Sequence, residues 1–298
     1  MDSKTQRYFF IGSEWLYYKL YMGSRISDIF LTSTLTPIAN ELLKQEIIDK
    51  WFFINYKDPE RHVRIRFRVI DPKNLNYVIQ ILHKAINSYV NEKTINKVVI
   101  DTYKRELERY GNETIEESES IFFINSRLIV YLISRVTNDN QRWLWGMKTI
   151  DTFLDAWNMS VEQKRDFFEG LKKGFDREMG ATTDINRQLS MKFRNNRGDI
   201  NTILEQNSDQ EFDMVLQNYF KQTREIVSQI LTKRKAIEPK LNMADLLGSY
   251  IHMHCNRLFK SNQRLNEWVL YNYLFQYYRS KAAQMKSETS KKILIAQE

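Results

Sequence analysis

Residues 51–70 read WFFINYKDPERHVRIRFRVI, and this stretch decides the fold of the N-terminal part of the chain. Its Asp-Pro dipeptide favours a turn over residues 57–61. The segments on either side are rich in aromatic and β-branched residues, which are typical of strands. The sequence therefore predicts two strands, at 51–56 and 62–70, joined by this turn.

The second of these strands has an unusual face. Basic and apolar residues alternate strictly along it, and period-two alternation places the basic side chains on one side. They are His62, Arg64, Arg66 and Arg68. Three guanidinium groups and an imidazole on one surface form a receptor for a carboxylate or a phosphate. The alternative is a solvated outer face, and the alternation alone does not distinguish the two.

Strand and helix signals alternate over the first 111 residues. Their order is β-α-β-β-α-β, which is the arrangement of a ferredoxin-like α+β unit. We therefore predict an α+β protein with such a unit at its N-terminus. Besides the two strands above, the segments are a strand at the start of 7–21, helices over 36–50 and 74–91, and a strand over 97–103.

Beyond Gly111 the spacing of apolar residues is helical. An acidic stretch, 113–119, precedes the first helix, where negative charge favours a helix N-terminus. We expect a sheet-containing subdomain at 1–111 and a helical subdomain at 112–298, together forming one domain. Predicted helices cover 121–135, 141–157, 160–178, 184–194, 211–236, 243–260 and 264–284, and a loop is predicted over 195–210.

The composition limits the classes of function. The chain has 298 residues, of which 42% are hydrophobic and 13% aromatic, as expected for a folded globular protein. Its net charge of +8 favours an anionic partner, although 37 acidic residues are interspersed with the basic ones. No apolar run of about 18 residues is present, and the N-terminus lacks a signal-peptide pattern. We therefore expect a cytoplasmic protein without a membrane span.

Neither a cofactor nor a metal ion is expected. The single cysteine, Cys255, excludes a multi-cysteine zinc site and is predicted to be a buried small residue. His252 and His254 are two residues apart on a predicted helix, so they cannot bind one metal ion from one face. The sequence contains no glycine-rich nucleotide loop, no HExxH and no GxSxG motif.

The motif SYIHMHCNRL, at 249–258, contains a candidate for proton transfer. Helical spacing places His252 on the same face as Ser249 and Asn256, where it can form defined hydrogen bonds. Imidazole exchanges protons near neutral pH, so His252 is a candidate general acid or base. The alternative is a hydrogen-bonded histidine of the core.

The motif YKRELERYG, at 103–111, contains a candidate ion pair. Glu106 and Arg109 are three residues apart, so they share a face and can pair if this segment is a helical turn. The alternative is an exposed ion pair that contributes under about 1 kcal/mol.

Together, and in this order, these motifs resemble the C-terminal elimination domain of class I lanthipeptide dehydratases, also called the thiopeptide-type bacteriocin biosynthesis domain. The matching segments are 51–67, 103–111 and 249–258, preceded by an aromatic start with Trp15 and Tyr21. The resemblance implies a lyase step. A serine or threonine of a precursor peptide is glutamylated from glutamyl-tRNA by a separate domain, and glutamate is then eliminated to leave dehydroalanine or dehydrobutyrine.

The resemblance also assigns site residues. Arg66 and Arg109 would bind the glutamyl carboxylates and ester oxygens, and Arg64 would face the leaving group beside them. Glu106 would orient Arg109. His252 would be the general acid or base.

Three other residues in these motifs are expected to be scaffold. They are His62, Asn256 and Arg257. Two positions depart from the family pattern: Asn55 stands where the family often has arginine, and Lys260 lies where a glycine commonly follows the NRL segment.

We expect the glutamylating domain to be missing, and the protein to be a split elimination subunit or a stand-alone relative. Its expected partners are the glutamylated precursor peptide and a separate glutamylation protein. A cyclase and a second copy of the chain are further possible partners. Direct contact with tRNA is not expected. Two other functions stay open. One is a stand-alone pyridine synthase that joins two dehydroalanines by a formal 4+2 cycloaddition, and the other is a non-catalytic peptide-binding scaffold.

Overall fold

The computed structural model describes residues 5–206, 210–236 and 242–295. Both strands predicted within 51–70 are present, and they pair antiparallel across a turn at residues 58–60. In chain order the strands are β1 (Tyr8–Phe9), β2 (Trp15–Met22), β3 (Ile48–Lys57), β4 (Arg61–Val69), β5 (Ile95–Ile100) and β6 (Tyr103–Lys104).

The strands β3, β4, β2 and β5 form, in that order, a four-stranded sheet whose neighbouring strands are all antiparallel. β1 and β6 pair separately. The strand predicted over 97–103 is divided into β5 and β6 at Asp101, whose side chain accepts a hydrogen bond from the Thr102 N–H. Helices connect β2 to β3 and β4 to β5. The α+β class is therefore confirmed, and the narrower ferredoxin-like assignment stays a prediction.

One face of this sheet is apolar because every second residue of β4 points to it. Val63, Ile65 and Phe67 are each at most 1% exposed. Burial of such apolar surface is the main favourable contribution to folding. The opposite face carries His62, Arg64, Arg66 and Arg68, and we call it the basic face. The buried register partners on the apolar face are Leu16, Tyr18, Leu20, Trp51 and Phe53.

Helices make up most of the rest of the described chain. A π-helix, Phe30–Leu35, and a short 3₁₀ turn, Pro72–Asn74, accompany them. Within the described ranges, no helix combines the length and the apolar character needed to cross a membrane. The α-helices are α1 (Ser24–Ile29), α2 (Thr36–Lys44), α3 (Leu75–Asn91), α4 (Leu107–Tyr110), α5 (Ile115–Arg135), α6 (Asp139–Ala156), α7 (Val161–Glu178), α8 (Thr183–Glu205), α9 (Gln210–Lys235), α10 (Met243–Leu258) and α11 (Gln263–Ile295).

The helix predicted over 36–50 was wrong at its C-terminal end. α2 ends at Lys44, and β3 begins at Ile48. Ile48 is buried and stands opposite Val69 in the sheet, so strand pairing overrides the helical spacing of the apolar residues there.

The loop predicted over 195–210 was also wrong, because α8 continues to Glu205. The asparagines and Gly198 of this stretch are typical of loops. Packing of an apolar face outweighs the roughly 1 kcal/mol that a glycine costs inside a helix. Residues 207–209 of the predicted loop lie outside the described residues. The buried residues at helical spacing in this part of α8 are Ile200, Ile203 and Leu204.

The chain is divided into two compact units. The first, which we call the sheet unit, comprises Met1–Thr137 and Glu225–Ser261, and the second comprises Asn138–Arg224 and Asn262–Glu298. The predicted division after residue 111 follows the change from strands to helices. It does not coincide with the edge of a compact unit, because α5 and α10 pack against β3 and belong to the sheet unit.

β3 is an edge strand, and side chains from α10 and α5 cover its outer edge. Asn256 acts there like a neighbouring strand: its Oδ1 accepts from the Asn55 N–H, and its Nδ2 donates to the Asn55 carbonyl, both at 2.8 Å. Arg257 Nε donates to the Phe53 carbonyl at 2.7 Å, and the Ser126 hydroxyl accepts from the Phe53 N–H at 3.3 Å. An uncovered edge would leave such backbone groups unpaired. These bonds therefore close the edge and fix α10 to the sheet.

Replacing Asn256 by alanine is expected to lower the free energy of unfolding by about 2 kcal/mol, because two hydrogen bonds to the Asn55 backbone are lost. Urea unfolding followed by circular dichroism measures this. Asn87→Ala changes an exposed asparagine of α3 and is the matched control, expected to change the free energy by less than about 0.5 kcal/mol. Equal effects of the two substitutions would contradict the role given to Asn256.

Candidate active site

Arg66 lies on the basic face between aromatic rings. In the sheet register it stands opposite Tyr17 of β2 and Phe52 of β3, so one row across three strands brings these side chains together. Its Cζ atom is 4.2 Å from the ring centroid of Tyr17 and 5.3 Å from that of Phe52. The ring of Tyr103 lies 4.8 Å from the same atom. Three rings therefore surround this cation at cation–π distances.

The Arg66 side chain is buried without a hydrogen-bond acceptor for two of its donors. The residue is 7% exposed, and its Nε and Nη1 donate to no acceptor among the described residues. Burial lowers the pKa of the guanidinium, while Tyr17 and Tyr103 raise it. Because an arginine pKa normally lies above about 12, the group stays a cation at neutral pH. Such a buried and incompletely paired cation is a candidate site for an anion.

Arg66 lines a small, partly open pocket of about 40 Å³ within the sheet unit. Its walls come from β3, β4, β6, α4, α5 and α10, and they combine aromatic and apolar side chains with a few polar groups. This composition is typical of sites for small ligands. Besides Arg66, the lining includes Glu106, Tyr110, Met253 and Arg257.

Glu106 and Arg109 form an ion pair, with Glu106 directly before the first residue of α4 and Arg109 within that helix. Arg109 Nε lies 3.3 Å from Glu106 Oε2, and both side chains are about half exposed. Glu106 also lines the pocket and raises the pKa of Arg66. Burial raises the pKa of the adjacent Tyr110, and Glu106 raises it further, whereas Arg109 lowers it. The pair is thus exposed, as in the alternative drawn from the sequence, but one of its members faces the pocket.

Arg64 lies two residues from Arg66 and is held by different groups. Its Cζ is 3.4 Å from the ring centroid of Tyr56, and its Nε donates to His62 Nε2 at 3.0 Å. Because arginine cannot accept, His62 Nε2 is unprotonated, and Nδ1 donates to the Glu60 carbonyl at 2.9 Å. Burial lowers the pKa of His62, in agreement with a neutral ring. Arg64 therefore rests on a neutral imidazole and a tyrosine ring.

The two histidines of α10 have different surroundings. His254 is 4% exposed, and burial lowers its pKa to about 3, so the ring is neutral. His252 is half-buried on another face of the helix. It is not among the described residues that line the pocket, although the next residue, Met253, is. His254 is therefore a core histidine, and proton transfer by His252 stays a prediction.

A chain of hydrogen bonds joins His254 to the pocket residue Arg257. Arg257 Nη1 donates to Asn125 Oδ1 at 3.1 Å, which assigns the orientation of the amide. Asn125 Nδ2 then donates to His254 Nδ1 at 2.8 Å. Protonation of that nitrogen would bring two N–H groups face to face. Neutral His254 is thus part of the support that holds Arg257 in place.

The aromatic walls of the pocket were missed from the sequence. Phe52, Tyr103 and Tyr110 line the pocket, and Tyr17 lies beside Arg66. The strand or helix pattern around these residues indicates only that they are partly buried. In the order of the chain, the first two are Tyr17 and Phe52. Period-two alternation is the one signal that could have found the first two. It becomes informative only when the register places them in the same row as Arg66.

A sequence model of the family described as "Lantibiotic biosynthesis dehydratase C-term" matches residues 15–278. This chain belongs to that family. The matched range contains the whole pocket and all five residues proposed from the motifs, namely Arg64, Arg66, Glu106, Arg109 and His252.

The curated relatives of this chain are much longer than the region that the chain matches. It is 24% identical over 268 residues to the subtilin biosynthesis protein SpaB of Bacillus subtilis, covering 86% of this chain and 25% of that protein. It is 25% identical over 268 residues to the nisin biosynthesis protein NisB of Lactococcus lactis subsp. lactis, covering 87% and 25%. The chain therefore spans about a quarter of the length of these relatives.

Two solved structures share the fold. The tRNA-dependent lantibiotic dehydratase MibB from Microbispora sp. 107891 has a TM-score of 0.67 at 20% identity, over 91% of this chain and 29% of that chain. The pyridine synthase TbtD from thiomuracin biosynthesis also has a TM-score of 0.67, at 10% identity, over 89% and 99%. At these identities the likeness concerns the fold alone.

Acidification is expected to destabilise the protein through His254. Its pKa is about 3 in the folded chain and about 6.5 in an unfolded one. Below about pH 6.5 the unfolded state therefore binds a proton that the folded state does not, and this favours unfolding. The contribution of His254 is therefore present above that pH and lost as the pH falls. The loss should reach roughly 2 kcal/mol between about pH 7 and about pH 5.

Urea unfolding of wild type and His254→Gln at both pH values measures this contribution. The fall in the free energy of unfolding should be smaller in His254→Gln by roughly 2 kcal/mol. His83→Gln changes an exposed histidine of α3. In this variant the free energy of unfolding should decrease between the two pH values as much as in wild type. If His254→Gln and wild type lose the same free energy, His254 is not a buried neutral group.

Proposed function

We propose that this chain eliminates glutamate from glutamylated serine or threonine residues of a precursor peptide, leaving dehydroalanine or dehydrobutyrine. The observation that carries the proposal is Arg66, a buried cation whose Nε and Nη1 have no acceptor among the described residues. Glutamate leaves as a carboxylate, the anion that a guanidinium binds well through paired donors. Membership of the lantibiotic biosynthesis dehydratase C-term family supports the same class of reaction.

The chemistry explains why a cation is needed. Hydroxide is a poor leaving group, whereas the carboxylate of glutamate leaves readily because its conjugate acid has a pKa near about 4. In the elimination a base removes the α-proton, the electron pair forms the Cα=Cβ bond, and the Cβ–O bond breaks to release the carboxylate. Negative charge develops on the peptide carbonyl and on the leaving group. Positioned donors that face this charge lower the barrier.

The charged residues of the site suit these tasks. Arg66 would hold the leaving carboxylate inside the pocket. Arg109 pairs with Glu106, which would restrain the direction from which Arg109 approaches the ester. Arg64, stacked on Tyr56, would add positive charge on the same face of the sheet.

His252 is the proposed acid or base for the α-proton. It lies on α10 directly before Met253, which lines the pocket. His254 is unsuited to this role because its Nδ1 already accepts from Asn125 and burial lowers its pKa to about 3. A base with so low a pKa removes a carbon-bound proton inefficiently at neutral pH.

The proposal predicts glutamate release from a precursor peptide that is supplied already glutamylated. Mass spectrometry and a free-glutamate assay should follow conversion of the adduct to the dehydrated peptide by wild type. Arg66→Lys should lower kcat/KM on the order of a hundredfold, because lysine keeps the charge but not the paired donors. His252→Ala should lower kcat by about a hundredfold or more, with the glutamyl adduct accumulating.

Arg68→Lys is the matched control for Arg66→Lys. Arg68 lies on the same strand, but its Nη2 is 3.2 Å from Asp49 Oδ2, and it is not part of the pocket lining. The kcat/KM of Arg68→Lys should stay within about twofold of wild type. Full activity of Arg66→Lys, or no glutamate release by wild type from its own pathway's glutamylated peptide, would overturn the proposal.

The same preparation separates the two alternative functions. A pyridine synthase would convert a dehydroalanine-rich peptide and expel its leader without releasing glutamate. A scaffold would form neither product, and His252→Ala and Arg66→Ala would then leave the output of the pathway unchanged while deletion abolished it.

A further inference from the structure

A buried ion pair, Arg105–Glu119, is hydrogen-bonded to the pocket residue Tyr103. Arg105 and Tyr103 belong to the YKRELERYG motif, and the proposed reaction uses neither of them. Arg105 binds Glu119 through two bonds of 2.7 Å, Nε to Oε1 and Nη2 to Oε2. The Tyr103 hydroxyl donates to the same Oε1 at 2.9 Å. None of the three residues is more than 5% exposed. The Glu119 carboxylate therefore has three donors in a dry environment, where such bonds are strong.

Tyr103 connects this ion pair to the pocket. Its hydroxyl end is held by Glu119, and its ring lies 4.8 Å from the Cζ of Arg66. Trp15 packs against the ring edge-on at 5.2 Å, and Phe9 stacks on it at 5.9 Å. The hydroxyl bond fixes the long axis of the tyrosine, and the two ring contacts limit its tilt.

The arrangement also keeps Arg66 available to a ligand. A buried carboxylate needs donors to compensate its lost hydration. Arg105 supplies those donors to Glu119, and Arg66 keeps Nε and Nη1 without an acceptor among the described residues. Burial and the neighbouring Glu119 raise the pKa of Tyr103, so its hydroxyl stays a donor to that carboxylate.

We propose that Tyr103 is a positioning residue: held by Glu119 and Arg105, its ring sets the direction in which Arg66 presents its N–H groups to an anion in the pocket. Removal of the hydroxyl releases the tyrosine axis while the charge of Arg66 stays in place. The inference rests on the proposed function only for the identity of that anion, the carboxylate of glutamate.

The direct test is the Nε–Hε signal of Arg66 in the full chain labelled with ¹⁵N-arginine. Arg66→Lys identifies the signal by its loss. In wild type the nearby rings should displace the proton from the shift of exposed arginines, through their ring currents. In Tyr103→Phe the signal should move towards that shift or broaden, because the ring and the guanidinium are no longer held together.

Tyr89→Phe is the matched control, because it also removes one tyrosine hydroxyl bond, to Thr34 at 2.7 Å, but from α3. It should leave the Arg66 signal unchanged. If Tyr103→Phe does not fold, as judged by circular dichroism, Glu119→Gln tests the same anchor and should shift the signal in the same direction. An Arg66 signal that is unchanged in a folded anchor variant would overturn the inference.

Kinetics with the glutamylated peptide provide the second measurement. Tyr103→Phe should raise KM about threefold to tenfold and change kcat less, because misdirected donors weaken binding of the carboxylate. Failure of wild type to release glutamate would remove the proposed function and leave the spectroscopic result valid. Normal glutamate release, with the Arg66 signal and KM both unchanged in Tyr103→Phe, would overturn the inference and leave the proposed function standing.

Discussion

Burial of the Arg66 guanidinium removes water from a cation, and the sheet unit compensates this loss without giving the group a full set of acceptors. Desolvation of one ion costs several kcal/mol, whereas a cation–π contact returns about 0.5–2 kcal/mol. The surrounding rings therefore offset only part of the cost. The apolar packing of the sheet unit offsets the remainder. In the proposed function, a bound carboxylate would compensate more of this cost, and that gain would contribute to its affinity.

The edge of β3 explains how a helix from the distant end of the sequence reaches this pocket. Asn256 and Arg257 bond to the β3 backbone at Asn55 and Phe53, which fixes both the position and the rotation of α10. Once the rotation is set, His254 must point into the core and His252 must point elsewhere, because residues two apart lie on different faces of a helix. The same contacts that cover an edge strand therefore determine which of the two histidines is buried in the core. Asn55, one of the two departures from the family pattern, takes part in this contact.

Several parts of the fold could be predicted because they depend on local patterns. The Asp-Pro turn and the alternation of β4 identify a hairpin with one basic face, and the spacing of Glu106 and Arg109 identifies their pairing. The errors occurred where distant contacts override such patterns. Ile48 has helical spacing with the residues before it, but pairing with Val69 draws it into a strand. The stretch around Gly198 has the composition of a loop, but its buried apolar residues keep it helical.

The sequence by itself determined the α+β class, the basic face and the family, since the motifs that resemble the elimination domain are local and the family model matches the same range. Only the tertiary structure distinguished the arginines of that face. Arg68 pairs with Asp49, Arg64 rests on His62 and Tyr56, and Arg66 alone of these three lines the pocket. The reason is that period-two alternation specifies a side of the sheet but not the neighbours in each row. Those neighbours depend on strand register and on helices brought from elsewhere in the chain, which no local pattern encodes.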